Sequence, residues 1–141
     1  MDTPKFIVGG LLGGVINFFA GWLTWGILLT DYMSRHVTNS SIFRTEGMIF
    51  WALIIGNICF GFLVAYILYV ANVRSARSGA IIGAISGALM IAAFDFTLYA
   101  QMDLYDRGIF LPDILASAFV TGLVGAAVGW YFGRGPLNKA V

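Results

Sequence analysis

A chain of 141 residues that is 60% hydrophobic and only 11% charged has too little polar surface to meet water on every side; soluble domains carry about 25% charged residues. Its mean hydropathy of +0.88 also excludes intrinsic disorder. A net charge of +1 with no basic block argues against nucleic acid as a partner and leaves the lipid bilayer as the natural solvent.

The start, Met1 to Lys5, is short and polar. The apolar run behind it is longer than the roughly 7–15 residues of a signal-peptide core and ends in no small-residue cleavage site, so helix one is expected to be retained. It is predicted over residues 6–30, enough to span a bilayer at roughly 1.5 Å rise per residue. Gly9, Gly13, Asn17, Gly21 and Trp25 recur at a spacing that keeps them near one face. Gly10, Gly14, Phe18, Trp22 and Gly26 form a second ridge beside it. Such small-residue rows let a neighbouring helix approach closely. They do not form a phosphate loop, because no GxxxxGK[ST] is present.

Loop one, Asp31 to Gly47, is the longest polar segment. It holds the single histidine, His36, with no second His or Cys nearby to complete a zinc site. Asn39-Ser40-Ser41 fits the glycosylation sequon, a short and common pattern read as chance. Helix two is predicted over residues 48–72, with Asn57, Gly61, Ala65 and Tyr69 on one ridge and Trp51, Tyr66 and Tyr69 placed for interfacial belts. Cys59, the one cysteine, cannot close an internal disulfide and is read as a small buried hydrophobe. Loop two, Val73 to Ser78, is short enough to make helices two and three antiparallel neighbours.

Helix three, predicted over residues 79–101, runs from the ridge Gly79, Gly83, Gly87 through Ile91 to Asp95 and Tyr99. Asp95 is the only acidic side chain inside an apolar stretch. A carboxylate there needs a partner or a wet cavity and is expected to face protein rather than lipid. Asp103, Asp106 and Arg107 follow in what reads as a solvated loop. Helix four, predicted over residues 112–132, opens on Pro112, carries Gly125, Gly129 and Gly133 with Trp130 and Tyr131 as anchors, and is stopped by Gly135-Pro136.

The expected fold is therefore all-α: an integral membrane four-helix bundle with glycine-rich packing, forming one transmembrane domain over residues 1–141. Lys5, Arg74, Arg77, Arg134 and Lys139 lie on one side and Arg35, Arg44 and Arg107 on the other. That balance favours both termini in the cytoplasm, with a bacterial inner membrane as the expected location.

Depth and face agree on a candidate polar site. Asn17, Asn57 and Asp95 fall between the midplane and roughly 8 Å into the outer leaflet, each on a ridge of its own helix. They are the candidate ligand- or ion-binding residues, with Trp22, Trp25 and Tyr99 as lining. The reading set slightly ahead of a site is that the same groups are hydrogen-bonded glue between helices.

The stretch Asn17-Phe18-Phe19-Ala20-Gly21-Trp22-Leu23-Thr24-Trp25 resembles the first helix of a bacterial family of small four-helix membrane proteins of unknown function, which shows an Asn, a Gly and an aromatic pair near the end of that helix. The resemblance implies four helices along the whole chain and no activity. Small multidrug exporters carry a glutamate in helix one, where this chain has Asn17. Fluoride channels carry an Arg and a later Thr-Thr-Phe-Ser break, which this chain lacks.

Three functions fit these observations. The leading one is a structural or accessory subunit, either a homo-oligomer or bound to a larger membrane-protein partner through glycine ridges that four helices leave uncovered. The second is a small transporter or channel-like protein using Asp95. The third is a binder of a lipid or isoprenoid-like ligand in the aromatic-rich outer half. No HExxH or GxSxG is present, so an enzyme ranks below all three, and the sequence specifies no catalytic residue, cofactor or metal.

Overall fold

The computed structural model describes residues 3–42, 44 and 46–134. Lys139 and the Gly135-Pro136 stop lie outside the described residues. Helix α1 (Thr3–Leu23) runs into one π-helical turn, Thr24–Leu28, where the Leu29 N–H donates to the Thr24 carbonyl at 2.8 Å. A short α2 (Thr30–Arg35) follows, then α3 (Phe50–Val70), α4 (Ala76–Gln101) and, after a 3-10 turn at Arg107–Ile109, α5 (Phe110–Gly133). Four segments are long and apolar enough to cross a membrane: Thr3–Leu28, Phe50–Val70, Ala76–Gln101 and Arg107–Gly133.

Helix one thus departs from the uninterrupted α-helix expected to residue 30, and the expected first loop begins as helix. Thr24 and Ile27 are β-branched and Gly26 is a poor helix former, which weakens α geometry locally. The Thr30 hydroxyl donates to the Trp25 carbonyl at 2.8 Å and satisfies a group that the wider turn releases.

The first and last described residues, Thr3 and Arg134, and loop two lie at one end of the bundle, the terminal end; loops one and three lie at the distal end. Loop two is built by a Schellman cap. Val73 N–H donates to Leu68 O at 2.9 Å and Asn72 N–H to Tyr69 O at 3.0 Å. Asn72 supplies the left-handed residue, φ +55°, a conformation asparagine tolerates better than most side chains. Ser75 then caps α4 by accepting from Ser78 N–H at 3.2 Å.

Helices α3 and α4 adjoin in sequence but scarcely touch, contrary to the expectation from their short loop. The glycines decide the pairing. A Cβ at Gly79 or Gly83 would strike the α5 backbone at Gly125 or Thr121, and one at Gly61 of α3 would strike α1 at Gly10 and Gly14. So α4 seats on α5 and α3 on α1, while α5 joins the two pairs through α1 and α3.

The buried core of Val64, Ala65, Leu68, Val73, Val124, Val128 and Phe132 occupies the terminal half. In the distal half the pairs loosen. Residues 50–56 of α3 are exposed, as are Phe19 and Trp22 of α1, an apolar surface suited to lipid. Cys59 is on this exposed face of α3 rather than buried, because α3 turns its small-residue ridge, not Cys59, toward α1.

Loops one and three pair over the distal end. Val37 and Tyr105 form an antiparallel bridge, Thr38 N–H donates to Leu104 O at 2.9 Å, and Asp106 N–H donates to His36 O at 3.0 Å.

Candidate functional site

The site begins with the register of α4 on α5. Gly79 meets Gly125 and Gly129, Gly83 meets Thr121 and Gly125, and Gly87 meets Thr121 and Ser117. Ser117 Oγ donates across this seam to the Gly87 carbonyl at 3.2 Å. Continued by the same antiparallel steps, the seam brings Asp95 to the level of Asp113. Asp95 is buried, 9% exposed, and its Oδ2 has no hydrogen-bond partner among the described residues.

Trp25, turned by the π turn, reaches across from α1. Its indole N–H donates to Asp113 Oδ1. Tyr105 of the distal cap completes the group. Burial first, then the charges of Asp113 and Asp95, push its phenol above the ordinary tyrosine value, so it stays a neutral hydroxyl. A cleft of about 280 Å³ opens here, between Trp25, Tyr105 and Asp113 on one side and Met33, Ser34 and Val37 on the other.

The asparagines form a second, separate pair. Asn17 Nδ2 donates to Asn57 Oδ1 at 2.8 Å, and Asn57 Nδ2 donates to the Leu53 carbonyl at 2.8 Å. They floor a lateral groove of about 270 Å³ between α1 and α3, walled by Trp22, Trp25, Met48 and Leu53.

Of the residues singled out in the sequence, Asn17, Asn57, Trp22 and Trp25 therefore share one groove. Asp95 makes no hydrogen bond to either asparagine, because α4 packs on α5 and not on α1 or α3. Tyr99 belongs to the distal cap: its hydroxyl accepts from Arg107 Nε at 2.9 Å and its ring packs edge-on against Phe110 at 5.2 Å. Trp25 is the link, since it lines both clefts.

Sequence reasoning passed over Asp113 and Tyr105. A signal for Asp113 was present. Gly133, Gly129 and Gly125 continue by the same step through Thr121 and Ser117 to Asp113, mirroring the α4 row that ends at Asp95. Tyr105 carries no such signal, since only the pairing of two loops places it.

Two carboxylates at one level, Asp95 buried and Asp113 lining a cleft, with no basic side chain bonded to either among the described residues, hold two negative charges at a cost. A proton or another cation removes that cost. Among the described residues no group of three or more His, Cys, Asp or Glu side chains could hold a metal ion.

The chain matches no family model, no curated protein and no solved structure.

Proposed function

We propose that this multi-pass membrane protein is a small carrier that holds a cation, a proton or a positively charged ligand group, between Asp95 and Asp113. The observation that carries this reading is the unpartnered, buried Oδ2 of Asp95. Helix glue would have used that oxygen, and the asparagines that would have been its partners bond each other instead. The cleft beside Asp113 is lined from the distal end by Met33, Ser34, Val37 and Tyr105, and a smaller cleft of about 180 Å³ lies at the terminal end between Lys5, Tyr69, Asn72, Val73, Arg74 and Phe132. The excess of cations around the termini favours that end in the cytoplasm, which would set the cleft beside Asp113 on the opposite face.

The test is proton flux into liposomes containing the purified protein, driven by an imposed potential and read by an internal pH dye. Asp95→Asn and Asp113→Asn are each expected to reduce the flux at least to the level of empty liposomes. An Asp95→Asn protein that conducts like the parent overturns the proposal. That result, together with a co-purifying larger protein, supports the accessory-subunit reading. For it the open space at Gly56 and the exposed apolar faces of α3 and α4 would supply the contact.

A further inference from the structure

The acidic cleft and the α1–α3 groove share a wall, and that wall is Trp25. At about 280 Å³ and 270 Å³ each is small for an organic ligand. Small-molecule sites usually span roughly 300–1,000 Å³, a range the two reach when joined. Their chemistry is complementary and unequal. The groove is apolar and aromatic, with Trp22 and Trp25 offering indole faces and one amide pair at its floor. The cleft ends at Asp113, and Asp95 stands at the same level of the α4–α5 seam without lining the cleft. Trp25, whose indole N–H is bonded to Asp113, is the residue that lines both cleft and groove.

We infer that the joined clefts take a lipophilic organic cation, its apolar or aromatic body between Trp22 and Trp25 in the α1–α3 groove and its charge at Asp113 and Asp95. This rests on the proposed cation site and names the class of its ligand. The aromatic walls attract a cation through their ring faces and shed water from its body. The carboxylates supply the charge that a purely lipid-filled groove would not need. Occupancy requires the Trp25 N–H to leave Asp113, so the cation replaces one hydrogen bond. Lateral access from the bilayer follows from the exposure of Trp22 and of residues 50–56 of α3.

The experiment is equilibrium binding of labelled tetraphenylphosphonium to the protein in nanodiscs, with empty nanodiscs as the baseline and tetramethylammonium as a compact competitor. Saturable binding is expected, with tetramethylammonium competing at least about tenfold more weakly. Trp22→Ala, at an exposed position that does not threaten the fold, is expected to weaken binding about tenfold. Asp95→Asn is expected to abolish it. Equal potency of the two cations, or no effect of Trp22→Ala, overturns the inference about the groove and leaves the carboxylate site standing. Undiminished binding to Asp95→Asn protein overturns both. Absence of saturable binding, while Asp95-dependent proton flux persists, overturns the ligand class alone.

Discussion

Trp25 on α1 donates its indole N–H to Asp113 on α5, tying the helix that carries the π turn to the helix that carries the second carboxylate. An acceptor in apolar surroundings loses heavily when its donor is removed. Trp25→Phe keeps a ring in place and deletes the donor. It is expected to cost about 1–3 kcal/mol in unfolding from mixed micelles. Trp22→Phe, at a side chain 58% exposed, is expected to stay within about 0.5 kcal/mol. Equal losses at the two tryptophans would mean that ring packing, not the hydrogen bond, holds Trp25.

The glycines of α3 separate into two kinds. A Cβ at Gly61 would run into the Gly14 backbone of α1, whereas one at Gly56 meets nothing within 4 Å. Gly61→Ala is therefore expected to push α1 and α3 apart and cost about 1–3 kcal/mol, the usual range for overpacking. Gly56→Ala is expected to be neutral or to gain up to about 1 kcal/mol from helix propensity. Thermal unfolding of the two variants side by side checks the contrast, and a harmless Gly61→Ala would refute the close contact.

Tyr105 gives a pH signature outside the spans. Its folded-state value is raised, chiefly by burial and secondarily by Asp113 and Asp95. Stability tied to its neutral form is present below the unfolded tyrosine value of about 10 and is lost as pH climbs through the folded value. The absorbance titration of the parent minus that of Tyr105→Phe is expected to place this phenolate above ordinary tyrosines. Asp95→Asn is expected to move it only slightly, because burial is the larger cause. A Tyr105 that titrates like an exposed phenol would show the distal cap open to water.

The four spans and the small-residue faces were legible because each is a local pattern: apolar length, and glycine at a constant step. Which face meets which is a relation between helices, and there the linear reading failed. Loop two is short, yet α4 leaves α3 for α5 because the row Gly79, Gly83, Gly87 fits the row Ser117, Thr121, Gly125, Gly129 at backbone distance. The same cause splits the expected polar triad. Asn17 and Asn57 meet because α1 and α3 pair, and Asp95 goes with α4 to Asp113. Depth in the bilayer was a necessary condition for convergence, but it did not choose the neighbour. The π turn at Thr24–Leu28 was only partly legible: Thr24, Gly26 and Ile27 weaken α geometry locally, but the bond from Trp25 to Asp113 is made across the interface.

The amide pair that floors the groove is best weighed by a double-mutant cycle. Asn57 also bonds the Leu53 carbonyl within its own helix, so Asn57→Ala alone removes more than the contact with Asn17. Combining Asn17→Ala, Asn57→Ala and the double variant isolates the interhelical term. Interhelical hydrogen bonds in membranes average about 0.6 kcal/mol and reach about 1.7 kcal/mol, because the separated helices find other partners. A coupling in that range is expected here. It is small enough for the pair to open when a ligand enters the groove, while the glycine contacts below it keep α1 and α3 together. A coupling well above the range would make the pair a structural lock and count against a groove that adapts to its occupant.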